Sequence, residues 1–239
     1  MAASAVSETA VEVVDLATTP LREVNQRLHD LAGGAGGSAR WRVLNPRGAH
    51  AVACGLDAEI EVEIEGHVGY YCAGMNQLAR VHVHGSASTG LAENMMSGTV
   101  VVEGSVSQSA GASAHGGLLV VHGDAAARCG ISMKGVEIVV RGSVGHLSGF
   151  MAQSGCLVVC GDAGEALGDS LYEARIYVLG DVAGLGADCV EKELRAEHVA
   201  QVSDLLERAG FDDVDPASFR RYGSARSLYN FHVDNAGAY

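Results

Sequence analysis

Read for hydrophobic and polar positions, the chain has a beat. Seven blocks alternate aliphatic and variable residues and end in glycine: VEIEG, VHVHG, VVVEG, LVVHG, IVVRG, LVVCG and IYVLG. Their closing glycines are Gly66, Gly85, Gly104, Gly123, Gly142, Gly161 and Gly180, and each interval is 19 residues. A constant period carrying one short strand per repeat predicts stacked coils of a β-solenoid. Within a block the period is two, so the residues four and two before each glycine point inward. These are Val62/Ile64, Val81/Val83, Val100/Val102, Leu119/Val121, Ile138/Val140, Leu157/Val159 and Ile176/Val178. The small residues three and seven after each glycine read as corners where little else fits. A period of nineteen is not a multiple of six, which favours a right-handed parallel β-helix of about seven coils over a left-handed hexapeptide helix.

The pattern changes at both ends. TTPLREVNQRLHDL places Leu21, Val24, Leu28 and Leu31 on one stripe of a helix, with Thr19 as the expected N-cap and Pro20 in its first turn. GGAGGS (33–38) reads as a connector, and WRVLNPRGAHAVACGL as a lead-in strand or degenerate first coil. After the last coil, Asp188 to Glu191 resembles a capping box. It opens an expected helix over 189–209 with Leu194, Val202, Leu205, Leu206 and Ala209 on its apolar side and Gly210 ending it. The expected organisation is therefore an N-terminal helix and linker (1–39), a β-helix domain (40–187), and a C-terminal capping helix and tail (188–239).

Two outward-facing patterns point to contacts. Three residues before the clock glycine stand Val101, Val120, Val139, Val158 and Tyr177. A lone solenoid would expose that stripe, so either the C-terminal helix or tail, or another chain, should cover it. The methionines Met75, Met95, Met96, Met133 and Met151 all fall nine to eleven residues after a clock glycine, on one edge, beside His115, Lys134 and Gln153. Methionine suits adaptable interfaces as well as cores, so this edge is a candidate partner surface.

Composition narrows the function. Of 239 residues, 16 are Lys or Arg and 29 are Asp or Glu, a net charge of −13. Without a basic patch, nucleic-acid binding is disfavoured. There is no membrane-length apolar run and no basic, apolar leader in the opening residues, so a cytoplasmic protein is expected. The six cysteines form no CxxC and read as reduced, small hydrophobes. GGAGGS is not followed by Gly-Lys-Ser/Thr and does not read as a phosphate loop. GASAHG (111–116) has its second glycine one residue late for a serine elbow. Glu93, Asp169 and Glu173 are too scattered for a polysaccharide-cleaving groove. His82 and His84 lie two apart on an outward face, but with Glu103 as the nearest carboxylate of the following coil they lack an evident third ligand, so no metal site is expected. His84 and His122 are two coils apart, roughly 10 Å, too far for one ion.

The repeat, aliphatic–x–aliphatic–x–Gly followed by small residues, resembles the GXGXG domain of the glutamate synthase large subunit, which recurs as a β-helix in formylmethanofuran dehydrogenase. The flanks TTPLREVNQRLH, GYYCAGMNQLARVHVHG and RRYGSARSLYNFHVDNAGAY resemble the stand-alone β-helix subunit of three-subunit glutamate synthase-like enzymes, N-methylglutamate synthase among them. That resemblance implies a hetero-oligomer in which one partner is a class II glutamine amidotransferase. The other is an FMN-dependent glutamate synthase-like subunit with an iron–sulfur cluster. The β-helix would hold the two and carry neither a catalytic residue nor a cofactor. In agreement, the chain opens Met-Ala-Ala-Ser where such an amidotransferase has a cysteine, and no cysteine run suits an iron–sulfur cluster. The β-helix component of a formylmethanofuran dehydrogenase, or a stand-alone β-helix enzyme on polysaccharide or acyl substrates, are the alternative readings.

Overall fold

The computed structural model describes residues 11–31 and 39–226; the connector GGAGGS (33–38) and the tail from residue 227 onward lie outside the described residues. The repeat blocks form parallel strands β3 (Glu61–Glu65), β4 (Arg80–Val83), β5 (Thr99–Val102), β6 (Leu118–Val121), β7 (Lys134–Val140), β8 (Ser154–Val159) and β9 (Arg175–Val178). They are preceded by β1 (Val11–Asp15), α1 (Leu21–His29) and β2 (Arg40–Leu44), and followed by β10 (Cys189–Lys192), α2 (Ala196–Ala209) and β11 (Arg220–Ser224). All eleven strands join one sheet in the order β1-β2-β3-β4-β5-β6-β7-β8-β9-β11-β10. Among the described residues this is an all-β solenoid with two short flanking α-helices.

Register follows from the 19-residue period. Val62, Val81, Val100, Leu119, Ile138, Leu157 and Ile176 stand opposite one another in successive strands, and all are buried. A second column of bridges alternates large and small: Val68, Ala87, Val106, Ala125, Val144, Ala163, Val182. Each valine is thus flanked by alanines on the neighbouring coils, which lets methyl groups interlock without overpacking. The lead-in coil differs: Arg40 pairs with Glu61, two residues beyond the later spacing.

The clock glycines have a different role from the corner geometry expected of small residues nearby. From Gly85 to Gly180 they do not adopt positive φ. Instead each lies against the preceding one: a Cβ on Gly123 would come within 2.7 Å of the Gly104 carbonyl carbon. That approach allows Gly104, Gly123, Gly142, Gly161 and Gly180 each to donate its N–H to the carbonyl of the glycine one coil earlier, at 2.8–3.1 Å. The left-handed conformations fall elsewhere: five, seven and nine residues after the glycine, mostly on residues with side chains, such as Tyr71, Ala73 and Met75 or Arg128, Gly130 and Ser132, and again twelve or thirteen after it on glycines such as Gly98 and Gly117. Each non-glycine residue there costs on the order of 1–2 kcal/mol. The alternation aims successive N–H groups at opposite neighbours: Ala92 donates back to Cys72, and Asn94 forward to Ala112.

Both ends of the stack are closed. At the first, α1 buries Val24 and Leu28 on the predicted stripe. Its cap is Pro20 rather than Thr19, because Pro20 already has the extended backbone of a cap (φ −59°, ψ 135°) and the Thr19 N–H is taken by the Asp15 carbonyl. The Asn25 amide then stands in for a missing coil. Its Nδ2 donates to the Ala51 carbonyl at 2.8 Å, and its Oδ1 accepts from the Ala53 N–H at 3.1 Å. Asn25→Ala should therefore cost about 1–3 kcal/mol in chemical denaturation, since two part-buried backbone groups lose their partners.

At the other end, residues 189–192, expected to begin a helix, form β10 instead. The antiparallel pairing of β10 with β11, and of β11 with β9, overrides the local capping-box signal. The helix begins only at Ala196, where the Arg195 N–H donates to His198 Nδ1, and it ends at Gly210 with φ 77° as expected. The segments outside 40–187 therefore supply strands to the solenoid's own sheet. All six cysteines are unpaired thiols, and burial pushes Cys72 and Cys129 up to about 12. Among the described residues no helix is long and apolar enough to cross a membrane.

Candidate functional site

The outward stripe is covered by the chain itself. Val101, Val120, Val139, Val158 and Tyr177, with Leu118 and Cys156, form a second core with Val202, Leu205, Leu206 and Ala209 of α2 and with Phe211 and Phe219. Polar contacts fasten the helix at its middle and near its C-terminal end. Gln201 Oε1 accepts from the Tyr177 hydroxyl at 2.9 Å and from Arg175 at 3.0 Å, and Arg208 pairs with Glu137 at 2.7 Å. Burial pushes the Tyr177 hydroxyl up to about 12. Of the two covers expected for the stripe, the structure supplies the intramolecular one, and these five side chains offer no free surface.

The methionine edge divides by the same period of two. Ten residues after the glycine, Met95 and Met133 point inward and are fully buried, as is Asn76, whose amide donates to the Ala79 and Ser97 carbonyls. Nine and eleven after it, Met75, Met96 and Met151 point outward and are 43–53% exposed. His115, Lys134 and Gln153 continue the outward column, each donating its N–H to the coil before. Tyr70, Tyr71 and Leu78, close to half exposed, join Met75 on its coil. The apolar part of this edge is therefore concentrated on two coils near the N-terminal end, around Tyr70, Tyr71, Met75, Leu78 and Met96.

On the outer face of the sheet, beyond the reach of α2, the structure assembles a group of acids and imidazoles. Glu63 of β3 lies opposite His82 of β4, and His84 is two residues further along the same face. Glu63 Oε2 approaches His84 Nε2 at 2.5 Å and His82 Nδ1 at 3.2 Å. The other His82 nitrogen, Nε2, meets Glu103 Oε1 at 2.6 Å. The two imidazole rings lie 4.1 Å apart, and Glu103 also faces His122 at 3.8 Å. Partial burial acts to raise the Glu103 carboxyl, but the His82 hydrogen bond and the three nearby histidines outweigh it and hold the group below its usual range. The carboxylate that gathers with His82 and His84 is thus Glu63, on the preceding coil. The 19-residue register brings it there, because it occupies the same position in its coil as His82.

The fold, with both ends closed and its face and edge unlike one another, defines a capped parallel β-solenoid protein. The chain is 62% identical over 227 residues to Protein GlxC of Rhizobium meliloti (strain 1021), covering 95% of this chain and 99% of that protein, and it belongs to the GlxC family. No family model matches the chain.

Proposed function

We propose that this chain is the scaffold subunit of a glutamate synthase-like complex. It carries no catalytic residue or cofactor of its own. It holds a class II glutamine amidotransferase subunit and an FMN-dependent, iron–sulfur-containing subunit for nitrogen transfer to or from glutamate, of the glutamate or N-methylglutamate synthase type. The observation that carries the reading is the exposed apolar edge of Tyr70, Tyr71, Met75, Leu78 and Met96 on a rigid, constant-register stack. A stack whose repeat strands keep a 19-residue offset from β3 to β9 holds two bound partners at a fixed separation. The GXGXG-like repeats and the likeness to GlxC support it. A cytoplasmic location fits this role.

The test is purification of the untagged chain from its native source. A flavin-containing subunit with iron and an amidotransferase subunit should co-elute with it. Leu78→Asp combined with Met96→Asp, both at exposed positions, should release at least one partner while leaving the melting temperature near that of the parent. A chain that elutes alone, or a double variant that keeps both partners, would refute the proposal.

A further inference from the structure

The Glu63–His82–His84 group gathers one carboxylate and two imidazoles in the arrangement a cation can use. A neutral imidazole carries one N–H. His82 nevertheless presents both ring nitrogens to carboxylates, Nδ1 to Glu63 and Nε2 to Glu103. A divalent ion held at Nδ1 together with Glu63 leaves the single N–H of the neutral ring on Nε2, facing Glu103. The same Glu63 oxygen is also shared with His84 Nε2. One carboxylate oxygen and two imidazole nitrogens thus converge, all within 4.8 Å of one another.

The distances suit a small divalent ion. With metal–ligand bonds of about 2.0–2.1 Å, ligand atoms in a tetrahedral site stand about 3.3 Å apart. Glu63 Oε2 and His82 Nδ1 already have that separation, at 3.2 Å. His84 and Glu63, at 2.5 Å, need to part by under about 1 Å, which side-chain torsions of groups on a solvent-facing strand allow. The surrounding carboxylate is placed as an outer-shell partner. A metal-bound histidine characteristically donates its other N–H to a carboxylate, fixing its tautomer and raising its basicity, and Glu103 occupies that place against His82 Nε2. The backbone supports the arrangement, since Glu63 and His82 face each other on paired strands and His84 directly follows the second of them.

We propose that Glu63, His82 through Nδ1 and His84 through Nε2 form a binding site for a divalent transition-metal ion of the zinc class, with Glu103 orienting His82. A set of two imidazoles and one carboxylate suits zinc, nickel or cobalt rather than calcium or magnesium. The fourth coordination position faces solvent and takes water. The site lies on β3 and β4, in the same outward column as the helix-covered stripe and one strand before its first member, Val101, and does not depend on the proposed complex.

The test uses the untagged full-length chain titrated with zinc by calorimetry and with cobalt(II) by visible absorption. One ion should bind per chain, and cobalt should give the intense visible bands of a four-coordinate site. Glu63→Gln, His82→Gln and His84→Ala should each abolish that signal. Glu103→Gln, which removes the orienting group alone, should weaken binding by about 10–100-fold. His122→Ala, at a residue that faces Glu103 but none of the three ligands, should leave zinc binding within about threefold of the parent. An unaltered melting curve for each variant in metal-free buffer will show that folding is intact. Absence of zinc binding to the parent chain, or equally tight binding by His84→Ala and Glu63→Gln, would overturn the proposal. Binding unaffected by Glu103→Gln would overturn its orienting role.

Discussion

Gly123→Ala should destabilise the protein by about 3 kcal/mol and lower its melting temperature by roughly 6–12 °C. The methyl group would lie 2.6 Å from Ser105 Oγ and 2.7 Å from both the Ser105 nitrogen and the Gly104 carbonyl carbon. Two of those three are backbone atoms and cannot rotate away. Relief requires the coils to part, which stretches the Gly123-to-Gly104 hydrogen bond and its neighbours in the column. Gly48→Ala is the informative comparison. Gly48 has φ +74°, but a Cβ there would meet nothing within 4 Å. Its substitution should cost only the left-handed penalty, about 1–2 kcal/mol. Equal melting temperatures for the two variants would show that conformational freedom, not close approach of coils, is what the clock glycines provide.

Leu205→Ala should cost about 2–5 kcal/mol, the usual range for a fully buried leucine. Its second effect separates it from an ordinary core variant. Leu205 is part of the helix face that covers Val120, Val139, Val158 and Tyr177, so weakening it uncovers a continuous apolar strip. Binding of a hydrophobic dye should rise well below the unfolding midpoint, and self-association should rise with it. Met151→Ala, at a side chain 43% exposed, should stay within about 0.5 kcal/mol of the parent. A Leu205→Ala chain as stable and as dye-inert as the parent would mean that α2 does not hold the stripe in solution.

Much of the fold was legible in the sequence because a solenoid repeats one local problem. The inward columns from Val62 to Ile176, the outward valine stripe and the stripe of α1 all follow from period and side-chain alternation. What was not legible depends on pairing across long sequence distances. β11 has no alternation of its own, being RRYGS, yet it inserts between β9 and β10 and draws Cys189–Lys192 out of the helix their local pattern suggested. The left-handed residues leave little trace because most carry side chains, and only the inter-coil hydrogen bonds that offset their cost show why they are tolerated. The methionine edge was half legible: a window of nine to eleven residues after the glycine contains two outward positions and one inward one, so Met95 and Met133 belong to the core. The Glu63–His82–His84 group required reading across coils in both directions. Along one strand it is two histidines; with the preceding coil in register it gains its carboxylate.

The glycine column also has a direction. From Gly104 to Gly180 each glycine aims its N–H toward the N-terminal end of the stack and its carbonyl toward the C-terminal end. The sheet's regular strands alternate their polar groups and largely cancel; this column does not. Its partial charges add along the axis as those of a helix do, leaving electron-rich carbonyl oxygen at the C-terminal end. The last acceptor is Gly180, and the group that meets its oxygen is the guanidinium of Arg220 on β11. The strand that stops the stack mechanically thus also places a full positive charge on its negative pole, giving an otherwise acidic solenoid an electrostatically terminated axis.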